Sequence, residues 1–96
     1  MSRVTVAAKL VAKKECVAAV KNELLKLVEP TRHEAGCIEY RLHQDMLDPA
    51  VFLFYENWES PAHLERHVTT DHYTAYAAAV QDMLESKAVN KLSEIA

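Results

Sequence analysis

Apolar residues alternate with period two in four segments, and recur at three- and four-residue steps after the first and third of these. That pattern predicts an α+β fold of order β-α-β-β-α-β, the ferredoxin-like unit, in which four antiparallel strands carry helices on one face. A length of 96 residues has room for one such domain, residues 1–96, and none for a separate cofactor-binding domain. Composition agrees, since 50% of the residues are apolar and 26% charged, too rich in core-forming side chains for a disordered chain.

The first strand is read over 3–11, where Val4, Val6, Ala8 and Leu10 alternate with Thr5, Ala7 and Lys9. After Lys13 and Lys14, the residues Val17, Val20, Leu24, Leu27, Val28 and Thr31 form one helical stripe, with Lys21, Glu23 and Lys26 on the other face. Pro30 weakens the last turn and Gly36 fits a left-handed C-terminal cap, so this helix ends near residue 35. Alternation returns over 37–44 in a second strand, with Ile38, Tyr40 and Leu42 opposite Glu39, Arg41 and His43. Asp48-Pro49 marks a turn into a third strand over 50–58, apolar on both sides for its first six residues. Ser60 followed by Pro61 is an N-cap and first-turn proline for a short helix carrying Leu64 and Val68. Thr70-Asp71 starts another helix, in which Tyr73, Tyr76, Ala77, Val80, Met83 and Leu84 make a continuous stripe. The last strand is read over 89–95.

Helices on one side leave the other face of the sheet uncovered. In the third strand both Phe52/Phe54/Trp58 and Val51/Leu53/Tyr55 are costly in water. At ~25 cal/mol per Å2, three or four such side chains amount to roughly 8 to 15 kcal/mol. A chain this short also buries only ~60 to 65% of its unfolded surface. We therefore expect a symmetric homodimer with its sheets face to face, burying the strip around Phe54 and Trp58 and enclosing apolar space between sheet and helices.

Several function classes are excluded. One glycine is too few for a phosphate-cradling loop. A net charge of −3 with no basic cluster makes nucleic acid an unexpected partner. The chain opens without an apolar leader core and has no uncharged apolar run near eighteen residues, so no membrane is expected and the protein reads as soluble and cytoplasmic. Cys16 and Cys37 form no CxxC pair and read as reduced, packed thiols.

Candidate chemistry gathers late in the chain. The third strand puts Glu56 with Trp58 on one side and Tyr55 with Asn57 on the other. A carboxylate, an indole N–H and a phenol around an apolar cavity can bind and ionise an acidic aromatic; an ion pair with two aromatic core fillers fits the spacing equally. His63 and His67 are i, i+4 neighbours, but no HExxH motif surrounds them, and two solvated histidines account for the pair without a metal. His67 and His72 are candidate general bases because an ordinary imidazole titrates near ~6.5; surface or capping roles are the alternative. Arg41 shares the polar face of the second strand with Glu39 and His43, facing either a cavity or a surface ion network.

The landmarks Val4-Thr5-Val6-Ala7-Ala8-Lys9-Leu10, Glu29-Pro30-Thr31-Arg32, Glu34-Ala35-Gly36-Cys37-Ile38-Glu39-Tyr40, Phe52-Leu53-Phe54-Tyr55-Glu56-Asn57-Trp58-Glu59-Ser60, His67 and His72-Tyr73 follow one another in order. In these the chain resembles the antibiotic biosynthesis monooxygenase domain family, specifically its small quinol monooxygenases, over nearly its whole length. The resemblance implies a dimeric α+β barrel that inserts oxygen into a dihydroxy-aromatic, with O2 as co-substrate and no flavin, metal or other cofactor. A deprotonated quinol is itself an electron donor to O2, so the protein need only make and shelter the anion. On this reading His67 or His72 is the base, and Asn57, Trp58 and Tyr55 orient and stabilise the anion. Glu56 holds a histidine or Arg41, and Tyr73, Phe54 and Tyr40 complete the substrate pocket. Haem-degrading relatives carry an asparagine in the first strand where this chain has Ala7 and Ala8, which argues against haem. Two alternatives remain. One is an isomerase of a small phosphorylated carbonyl compound using the same histidines, for which Arg41 and Lys9 are the evident cavity cations. The other is a non-catalytic ligand-binding dimer.

Overall fold

A computed structural model describes residues 2–96. The chain runs β1 (Val4–Ala12), a single 3-10 turn (Lys14–Cys16), α1 (Val17–Arg32), β2 (Cys37–Gln44), β3 (Val51–Trp58), α2 (Pro61–His67), α3 (Asp71–Val80) and β4 (Leu84–Leu92). The four strands form one antiparallel sheet in the order β2-β3-β1-β4, the ferredoxin-like α+β arrangement.

Strand parity decides which side chains meet the helices. Across β1 and β3, Val6 faces Glu56, Ala8 faces Phe54 and Leu10 faces Phe52; across β1 and β4, Ala8 faces Val89 and Leu10 faces Lys87. Cross-strand partners share a face, so all of these point to the helical side. There Val20, Leu24, Leu27 and Thr31 of α1 pack down at the spacing of one helical stripe. The late helices start as their caps require: the Ser60 and Thr70 side-chain oxygens accept the backbone N–H groups of His63 and Tyr73.

Gly36 links α1 to β2 with φ +84, and a Cβ built there would collide with the His63 ring. Conformation and space both require glycine. The tight turn lays Glu34 alongside α2.

Three expectations are corrected. The final helix does not carry its stripe through Met83 and Leu84: it ends at Val80, and Leu84 already pairs with Ala12 in β4. The last strand accordingly starts five residues before 89 and stops at Leu92, leaving Ile95 exposed. An edge strand exposed along nearly all its length carries little alternation, and its register comes from pairing with β1, a partner more than seventy residues distant. Thirdly, the strip around Phe54 and Trp58 needs no second copy to bury it, since both are buried beneath this chain's own helices. What the sheet leaves half-exposed is the opposite parity, Val51, Leu53 and Tyr55. Among the described residues no helix is long and apolar enough to cross a membrane.

Candidate functional site

A cavity of about 50 Å3 lies between the sheet and the helices. Val6, Ala8 and Leu10 of β1 and Leu27 of α1 make it apolar, while Tyr40, Glu56, His67, Tyr73, Tyr76 and Lys87 supply its polar groups.

His67 is only 2% exposed and sits against three aromatic rings, with centroid distances of 4.8 Å to Trp58, 5.0 Å to Tyr73 and 5.6 Å to Tyr40. Its Nδ1 lies 2.7 Å from Oε2 of Glu34, and Nε2 of His72 lies 2.6 Å from the same oxygen. A carboxylate only accepts, so both imidazoles donate. Burial holds the His67 pKa below that of an ordinary histidine, against the opposing pull of Glu34. At neutral pH the ring is therefore uncharged, with its proton on Nδ1 and a lone pair on Nε2. A second carboxylate-held imidazole nitrogen is the arrangement by which a general base is oriented.

Glu56 is 5% exposed and its Oε1 accepts the Trp58 indole N–H at 2.9 Å. Burial pushes its carboxyl up to about 7, with the indole bond pulling the other way. Stability is linked to this shift: between the unfolded value of 4.5 and about 7 the folded protein keeps a proton that the unfolded chain has lost. Stability therefore falls as pH rises across that window, by about 3 kcal/mol in all at 1.36 kcal/mol per unit. We expect Glu56→Gln, which cannot ionise, to exceed the parent in stability by up to that amount at pH 8, with the advantage vanishing near pH 4.5. Urea unfolding at the two pH values measures it, and equal differences at both would contradict the buried carboxyl.

At the cavity mouth, Nζ of Lys87 donates to the Tyr73 hydroxyl at 3.2 Å and stands 5.5 and 5.3 Å from the ring centres of Tyr73 and Tyr76. Burial alone would push the ammonium down, but the two tyrosines more than reverse this and hold it above its ordinary value. Burial keeps the phenols of Tyr40 and Tyr76 un-ionised by raising both. Burial first, then the nearby Glu34 and Glu56 carboxylates, pushes the Cys37 thiol to about 11, so it is no nucleophile at neutral pH.

Of the residues proposed from sequence, the cavity collects His67, Glu56, Tyr73, Phe54 and Tyr40. Trp58 backs it, touching His67 and holding Glu56. His72 reaches it only through Glu34 and faces a separate groove beside Glu23 and Lys26. Tyr55, Asn57 and Arg41 are not brought there, because they lie on the far face of the sheet. Asn57 accepts from the Thr5 hydroxyl at 2.6 Å and donates to Glu39 at 2.7 Å, and Arg41 pairs with Glu39 at 3.2 Å. These make a polar ladder across three strands. Glu56 thus holds neither a histidine nor Arg41; the carboxylate that holds the histidines is Glu34. His63 bonds the Ser60 hydroxyl at 2.8 Å and does not join His67. Lys9 also lies on the far face, and the cavity's cation is Lys87.

Glu34, Tyr76 and Lys87 are site residues that the sequence did not point to: Tyr76 reads there as helix core and Glu34 as one of the landmarks. The signal for Lys87 was its parity with Val89, visible once the strand is extended back to Leu84; Glu34 has no local signal, since its partners lie 33 and 38 residues away. Glu34, His67 and His72 bring three ligand atoms within 4.8 Å of one another, the one set among the described residues that could hold a metal ion.

Residues 3–79 match the family model described as antibiotic biosynthesis monooxygenase. The chain is 37% identical over 76 residues to the probable quinol monooxygenase YgiN of Escherichia coli, covering 70% of this chain and 73% of that one. It is 35% identical over 69 residues to the uncharacterized protein sll1783 of Synechocystis, covering 72% of this chain, and the match spans about half of that relative, 47%. The crystal structure of PA3566 from Pseudomonas aeruginosa superposes with a TM-score of 0.95 at 34% identity, covering 100% of this chain and 97% of the other.

Proposed function

The chain belongs to the antibiotic biosynthesis monooxygenase family, and from that premise we propose that it oxidises a quinol or related dihydroxy-aromatic with O2, without a resident cofactor. The observation that carries this reading is a buried, neutral imidazole whose Nδ1–H is fixed by Glu34, on the wall of an apolar cavity. Nε2 of His67 takes the proton of a substrate hydroxyl, and Glu34 stabilises the imidazolium that results. The ring anion gives its electrons to O2; one oxygen atom enters the ring, and the other leaves as water with the two hydroxyl hydrogens, yielding a hydroxyquinone. Glu56, pushed up to about 7, is half-protonated at neutral pH and serves to return a proton to the reduced oxygen. Apolar walls keep water from the intermediates.

On the far face, Val51, Leu53, Tyr55 and Leu92 form a partly exposed apolar patch, and a second copy of the chain is the cover we propose for it. Sedimentation of a lone subunit at micromolar concentration would remove that part of the reading. We place the protein in the cytoplasm.

Oxygen uptake and quinone absorbance with a panel of hydroquinones test the activity. Turnover should stop when O2 is removed. Reaction proceeding equally without O2 would favour an isomerase, and tight binding without turnover would favour a sequestering protein.

A further inference from the structure

The cavity's volume, about 50 Å3, suits a few water molecules and falls well short of the ~300 Å3 at which ligand pockets begin. An aromatic guest must therefore open a wall. Most of the wall is core, held by β1, β2 and β3 and by Leu27, Leu64 and Tyr76 of the three helices. The exception is the mouth, where exposed Val68 follows α2, and Lys87 and Val89 stand on β4, an edge strand paired with β1. Opening there means lifting the Lys87 ammonium off the rings of Tyr73 and Tyr76.

That step selects among guests. A neutral ring that displaces the ammonium leaves it without its cation–π contacts and its tyrosine bond. An anionic oxygen replaces them with a charge-assisted hydrogen bond, which is stronger than either. Lys87 has no carboxylate within 4.0 Å among the described residues, so its charge is free to be used. The ring of Tyr73 packs against the His67 ring and carries the Lys87 ammonium, and all three line the same cavity, so a guest lying along that ring can meet both the base and the cation.

We infer that Lys87 determines substrate specificity by anchoring an anionic oxygen at the cavity mouth. The substrate class is then a hydroxy-aromatic with one ionisable hydroxyl at His67 and a second oxygen, carboxylate or phenolate, at Lys87. The assignment rests on the proposed oxidation only in taking His67 as the far end of the substrate.

Binding without O2 tests it. The probes are 4-hydroxybenzoate and its methyl ester, read by quenching of Trp58, the single tryptophan. The parent should bind the acid at least tenfold more tightly than the ester. Lys87→Met should abolish that preference, weakening the acid and not the ester, and Lys87→Arg should restore it. Equal binding of acid and ester by the parent, or a preference that survives in Lys87→Met, overturns the inference. Far-ultraviolet circular dichroism checks that the variants fold. Because the assay involves no turnover, absence of quinol oxidation beside an intact acid preference counts against the oxidation alone.

Discussion

Replacing His67 with alanine should lower kcat/KM for quinol oxidation by about 100- to 10,000-fold, the usual contribution of a positioned general base. The expectation follows from geometry. His67 is the histidine on the cavity wall, its tautomer is fixed by Glu34, and the rings of Trp58, Tyr73 and Tyr40 hold its plane. His72→Ala should cost far less, because His72 acts only through the shared Glu34 oxygen. The pH profile adds an independent check. A base works unprotonated, and burial holds this imidazole below the ordinary 6.5, so protonation of His67 should depress the rate only at lower pH than it would for an ordinary histidine. An oxygen electrode measures both effects. Turnover in His67→Ala equal to the parent's, with the variant folded, would remove His67 from the reaction.

The architecture was legible because its signals are local. The boundaries of β2 at Cys37–Gln44 follow from alternation alone, and the starts of α2 and α3 follow from Ser60 and Thr70. The face shared by Glu56 and Trp58 was legible too, since parity within one strand is a local property. Parity also shows why Tyr55 and Asn57 stand apart. They point away from Glu56 and Trp58, and only one face of β3 meets the helices, so no arrangement of a single chain puts all four around one cavity. Groups joined across the fold left no trace. Glu34 comes beside His67 because Gly36 turns the chain back under His63, and nothing near Glu34 announces that. Lys87 was hidden for a related reason: on an exposed edge strand only pairing with β1 settles which way a side chain faces.

Trp58 links stability to the site, and its truncation should give the largest loss of stability in the protein. The side chain has no exposed surface, so Trp58→Ala should cost about 3 to 5 kcal/mol in lost burial and the void left behind. Glu56 would also lose the indole N–H that its Oε1 accepts. Against the 5 to 15 kcal/mol typical of a folded domain, roughly a fifth or more of the stability goes, and partial unfolding at 37 °C should follow. Trp58→Phe separates packing from hydrogen bonding. It keeps much of the ring but removes the N–H that draws the Glu56 carboxyl downward, so that group should titrate above about 7. Since a raised carboxyl loses stability as pH climbs to its folded value, the sloping part of the stability curve should extend to higher pH in Trp58→Phe than in the parent. Urea midpoints from pH 5 to 9 read this directly. Parallel curves for the two proteins would show that the indole bond has no hold on Glu56.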